Sequence, residues 1–280
     1  MATIQQPGAH TVERGVQPLR AGRGSGFIWR KLHSLLGIIP IGAFLIEHII
    51  SNWEAVGGPV AYGQQVKFLN SLPLVRVMEW VFIFIPLLYH GVYGLYIWIR
   101  GKANVVYYPW AGNWLYVAQR YTGVLAFVYI GYHVATQRFM GVDLPHNPAA
   151  AFWKVQHELQ NPWILTFYVV AMIAICFHFA YGVWLFAAKW GLTPGERARR
   201  RFAWVCGVGG FIIMAMGLAS IFSFIRPKYA NAPENPSLSY RRTESSGPRS
   251  ALGSALALND ATLIVKTAMT GTSIRSLISD

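Results

Sequence analysis

Residues 163–188 read WILTFYVVAMIAICFHFAYGVWLFAA, twenty-six residues without a charged side chain and with His178 beyond their middle. As a helix rising 1.5 Å per residue the run is about 39 Å long, more than a hydrocarbon core of roughly 30 Å requires. An ionisable imidazole is costly in that environment, so its presence asks for a buried partner. Working outward, similar apolar runs occupy residues 32–51, 77–99, 120–138 and 202–225. The fold class that follows is an all-α membrane protein, a bundle of five transmembrane helices.

Composition agrees. The 280 residues are 54% hydrophobic, 15% aromatic and only 12% charged, a balance that a soluble core does not need. Cys176 and Cys206 stand alone inside apolar runs, so the chain offers no CxxC metal site, iron–sulfur cluster or disulfide framework. Net charge is +13, but the basic residues gather in loops beside apolar spans, which is the pattern of membrane topology and not of nucleic-acid binding. With the N-terminus inside, and counting the leader and the segments that join the spans, thirteen Lys and Arg fall on the inner side and four on the other, Lys67, Arg76, Arg138 and Lys154. The positive-inside rule therefore sets the N-terminus in the cytoplasm, and five spans put the C-terminus outside.

Three segments result. Residues 1–28 read as a polar cytoplasmic leader with no apolar signal run, 29–226 as the transmembrane domain, and 227–280 as a polar tail, disordered or peripheral. Connecting loops are rich in Gly, Pro and Asn, while Pro40 and Pro86 fall inside spans and bend them.

Four histidines lie deep in four different spans. Measured from the outer ends, His48 lies about 5 Å down, His133 about 8 Å, His90 about 21 Å and His178 about 22 Å. The outer pair is thus His48 with His133, and the inner pair His90 with His178. Two stacked haems, each gripped by two histidines, explain the pairing economically. Glycines near the histidines, among them Gly42, Gly91, Gly94, Gly123 and Gly182, suit either close approach of a flat macrocycle or helix–helix packing. His33, at the inner mouth of the first span, is placed to reach a haem propionate or to snorkel to the interface. His10, His146 and His157 read as solvated. Glu47 and Glu79 are the only carboxylates inside the spans. Glu79 is three turns before His90, on the same face and near the outer pair, where it would serve quinone protonation. Glu47 adjoins His48, where it would tune the haem electrostatically.

The motifs WRKLHSLLG (29–37), FLIEH ending at His48, SLP (71–73), PLLYHGVYG (86–94), QRYTG (119–123), GYH ending at His133, FHFAYG (177–182) and AAKWG (187–191) recur in order. In these the chain resembles the cytochrome b membrane anchor of succinate dehydrogenase and fumarate reductase, in its single-subunit, two-haem, five-helix form, over residues 27–225. The resemblance implies two haem b groups, with His48 and His133 as axial ligands of the outer iron and His90 and His178 of the inner. It implies propionate contacts from Lys189 and Ser34, and electron transfer to a membrane quinone, with menaquinone favoured. Partners would be the flavoprotein and iron–sulfur subunits, docked on inner loops 100–119 and 189–201, in the cytoplasmic membrane of a prokaryote. A higher oligomer of the complex is compatible with it. The chain alone would not oxidise succinate, having neither a dinucleotide-binding glycine motif nor a cysteine cluster. Competing readings are a gamma-type cytochrome b of hydrogenases or formate dehydrogenases, and a haem-free transporter.

Overall fold

A computed structural model describes residues 25–141, 144 and 146–229. The leader to residue 24, His10 within it, and the tail from residue 230 lie outside the described residues. Every regular element among those described is helical.

The first apolar run is two helices, α1 (Ser25–Ile38) and α2 (Pro40–Trp53), joined at Ile39. Pro40 supplies no N–H and starts α2 at the position where proline is best tolerated. The second run opens with α4 (Val75–Met78), passes through π-helical turns at Glu79–Phe84 and continues as α5 (Ile85–Arg100). Helix α6 (Ala111–Val134) begins nine residues before the expected span and ends in a second π segment, Ala135–Phe139. Helix α8 (Pro162–Lys189) starts on Asn161, whose side chain accepts from the backbone N–H groups of Trp163 (2.9 Å) and Ile164 (3.4 Å). Helix α9 (Glu196–Phe224) closes the bundle.

Four stretches, Gly26–Gly57, Val75–Arg100, Pro162–Lys189 and Glu196–Phe224, are long and apolar enough to cross a membrane. Helix α6 is outside that set. Asn113, Gln119, Arg120 and several tyrosines dilute its apolar residues. It nonetheless packs between α5 and α8, while α8 lies against α9, α1 against α5, and α2 against α9. Large apolar side chains such as Leu88, Ile99, Trp204 and Phe211 are exposed on the bundle's flanks, as lipid-facing residues are.

The connecting segments at the end holding His48 and His133, the outer end by the charge rule, carry α3 (Pro59–Asn70) and α7 (Ala151–Leu159). Neither is long enough to span, and their polar content hides them beside the long apolar runs. They pack on each other and bury Phe152 completely among Tyr62, Trp153, Phe224 and Tyr229. Gln156 donates to the carbonyls of Phe224 (2.9 Å) and Tyr229 (2.7 Å), tying this cap to the end of α9. Tyr62 donates to Asn52 Oδ1 (3.0 Å), and burial pushes its phenol pKa above the usual value.

Candidate functional site

The bundle brings His48 and His133 together with ring centroids 5.8 Å apart and planes at 76°. His90 and His178 face each other at 6.3 Å and 85°. A metal held between two imidazoles, with bonds of about 2 Å on either side, needs roughly 6 Å between ring centroids once the ring radii are added. Both pairs fit that spacing. Among the described residues no three or more His, Cys, Asp or Glu converge as a metal-ion cage. Pairs of imidazoles on opposite helices suit a macrocycle that supplies the remaining ligands itself.

The inner pair is held by matching devices on two helix pairs. His90 Nδ1 lies 2.9 Å from the carbonyl oxygen of His33, and His178 Nδ1 lies 2.9 Å from that of Gln119. With Nδ1 donating, each Nε2 keeps a free lone pair for a metal. One turn after each carbonyl stands a glycine. A Cβ on Gly123 would come within 2.7 Å of His178 Cε1, and one on Gly37 would run into the His90 ring. The arrangement is reciprocal, because Gly94 faces His33 and Gly182 faces Gln119, whose Nε2 donates to the His178 carbonyl (3.0 Å). In sequence this is HSLLG (33–37) with HGVYG (90–94), and QRYTG (119–123) with HFAYG (178–182). The repeated spacing was a legible signal that the reading of single histidines missed. In the structure Gly94, Gly123 and Gly182 make room for His33, His178 and Gln119, and Gly42 and Gly91 for Phe179 and Phe127.

His33 is partly buried. Its ring stacks on His90, centroids 4.0 Å apart and planes 8° apart, with Nδ1 buried and unpartnered. Ser34 Oγ donates to the Lys31 carbonyl (2.9 Å) and accepts from Trp190 Nε1 (3.2 Å). Lys31 Nζ donates to the Lys189 carbonyl (2.9 Å) and lies 4.3 Å from the Trp190 ring centroid. Lys31, Ser34, Lys189 and Trp190 therefore gather where the middle of α1 meets the end of α8. Lys31 and Trp190 were not singled out from sequence, although both sit in the quoted motifs.

At the outer pair, His133 Nδ1 is 3.2 Å from Tyr168 Oη, and Asn52 Nδ2 is 3.4 Å from His48 Nε2. Glu79 is ion-paired with Arg138 at 2.8 Å, and both residues lie in the π-helical segments. Such segments re-aim side chains and recur at functional sites. Glu47 accepts from Ser51 Oγ, which accepts from Gln65 Nε2 (3.0 Å), so its carboxylate faces α3.

A family profile described as the succinate dehydrogenase/fumarate reductase transmembrane subunit matches residues 99–217. The chain is also similar to the succinate dehydrogenase cytochrome b558 subunit of Bacillus subtilis (strain 168). The two are 38% identical over 202 residues, covering 71% of this chain and 97% of that relative.

Proposed function

The chain belongs to the cytochrome b membrane-anchor family of succinate dehydrogenase, as a multi-pass membrane subunit of the bacterial complex, and on that premise we propose that it conducts electrons between an iron–sulfur subunit and membrane quinone through two bis-histidine haems b. The observation that carries this reading is the pair of imidazole couples at metal-holding separations, 5.8 and 6.3 Å between centroids, at two levels of one bundle. Membership of the family removes the hydrogenase-type and transporter readings.

His48 and His133 would hold the outer iron, and His90 and His178 the inner iron. When bound, haem supplies a one-electron couple that passes charge along the bundle without proton chemistry at the ring. The protein's own residues do the rest. The His33 and Gln119 carbonyls fix the inner imidazoles in the ligating tautomer. Lys31, Lys189 and Ser34 form a cationic and hydroxyl cluster suited to propionates, and His33 stacks behind one ligand. Glu79, with Arg138 neutralising its charge in the resting state, is placed at the outer end to take protons to or from quinone. Glu47, turned toward Ser51, is the weaker candidate for that exchange and acts on His48 through charge alone. Menaquinone is the favoured acceptor.

Five spans follow if α6 is counted with the four apolar stretches. Its one arginine is accommodated locally, since Arg120 donates to the carbonyls of Ile97, Trp98 and Gly101 at the end of α5. Residues 29–226 then form the transmembrane domain, with the N-terminus cytoplasmic and the C-terminus outside, flanked by a polar leader and tail. The inner loop after α5, with Tyr107, Tyr108 and Trp110 exposed, is suited to receive the iron–sulfur subunit.

Haem extraction from the purified complex tests this directly. Two haems b per chain are expected, with low-spin bis-imidazole spectra, and replacing His90 or His133 by alanine should remove one each. A single haem per chain would overturn the two-level conduit.

A further inference from the structure

The two levels of the bundle treat their imidazoles differently. At the inner level the Nδ1 partners are neutral peptide carbonyls. At the outer level His133 Nδ1 faces a phenol, Tyr168 Oη at 3.2 Å, and that phenol donates onward to Glu158 Oε1 at 3.4 Å. Gln137 clamps the arrangement, because its Nε2 donates both to Glu158 Oε2 and to Tyr168 Oη (3.4 Å). The Tyr168 hydroxyl has one proton to give and two lone pairs to fill. Its proton goes to Glu158, so toward His133, Gln137 and the Thr136 hydroxyl it acts as an acceptor. The chain from ring to carboxylate is therefore directional.

Glu158 lies on α7, one turn beyond Lys154. That ammonium spends its donors on the carbonyls of Gln137 (2.9 Å) and Met140 (2.7 Å) and not on the carboxylate. Burial lowers the Lys154 pKa, and the nearby Glu158 charge opposes that shift. Tyr132 borders the same carboxylate. Glu158 has no part in the electron path proposed above, and in sequence it is one of several polar residues between two spans.

We propose that Glu158 is a positioning residue for His133. Through Tyr168 it draws the Nδ1 proton away from the ring, enriches the ligating nitrogen in electron density, and lowers the reduction potential of the outer metal centre. Charge-terminated partners of metal-bound histidines raise ligand basicity in this way, and a more basic ligand favours the oxidised metal. The inference rests on the assignment of His133 as a haem ligand.

The test is potentiometry of the purified complex, following the visible haem bands of wild type, Glu158→Gln, Glu158→Asp and Tyr168→Phe. The wild-type spectrum examines the ligand assignment by itself: two haem components are required, and the one missing from His133→Ala is the outer. In Glu158→Gln the outer midpoint should move upward while the inner stays fixed. Glu158→Asp, which keeps the charge, should return toward wild type. In a Tyr168→Phe background, Glu158→Gln should have no further effect. An unmoved outer midpoint in Glu158→Gln with both haems present overturns the proposal. Should that variant lose haem, an unmoved midpoint in Tyr168→Phe overturns it instead. Equal shifts of both haems would also do so, since they would mark a diffuse charge effect and not a relay through Tyr168.

Discussion

A single methyl group decides whether an inner imidazole can reach its carbonyl. On Gly123 it would stand 2.7 Å from His178 Cε1, inside any tolerated contact, and the neighbouring atoms belong to the ring itself. Gly123→Ala should therefore cost the inner haem and spare the outer, seen as loss of one component from the reduced-minus-oxidised spectrum. Gly207→Ala on α9, where a Cβ meets nothing within 4 Å, should leave both in place. Glu79 supports a second test. Glu79→Gln removes the ionisable oxygen but keeps a hydrogen-bonding partner for Arg138, so quinone reduction should fall at least about tenfold while both haems remain. Normal turnover would exclude Glu79 from the proton path. The histidines and Glu79 were legible because ionisable groups stand out in apolar runs. Arg138 was not legible as a partner, being 59 residues from Glu79 in the chain and met only through packing.

Elements carry their own signals and their own omissions. Pro40, expected to bend a continuous span, instead opens α2, and Pro162 opens α8, positions where a missing N–H costs no helical hydrogen bond. The π segments at Glu79–Phe84 and Ala135–Phe139 have no comparable signature, because a one-residue widening of a helix leaves the apolar pattern nearly intact. At the end of α5 the Gly101 N–H reaches only the Ile97 carbonyl, and Arg120 from α6 donates to the carbonyls of Ile97, Trp98 and Gly101. Arg120→Met would orphan that end, and we expect a loss of about 2 kcal/mol, read as a lower unfolding midpoint of the detergent-solubilised complex. Counted from sequence, Arg120 is only one more inner positive charge. The structure shows a cap joining two helices.

For the molecule as a whole, the outer cap of α3 and α7 is fastened to the end of α9 by Gln156 and the aromatic cluster around Phe152, while the flanks of the bundle stay apolar and exposed. The charge asymmetry predicts that cap to face away from the cytoplasm. Reporters inserted after Lys102 and after Tyr229 should be active on opposite sides, cytoplasmic for the first and external for the second. Activity of both on one side would remove the five-span topology. By itself the sequence determined the helical class and four of the long apolar spans, because hydrophobic length is a one-dimensional property read along a single chain. Only the tertiary structure decided that His33 stacks on His90, that glycines make room for imidazoles, and that Glu158 is linked to His133 through Tyr168. Those facts depend on which faces of separate helices meet, and that is settled by side-chain packing between segments distant in the chain.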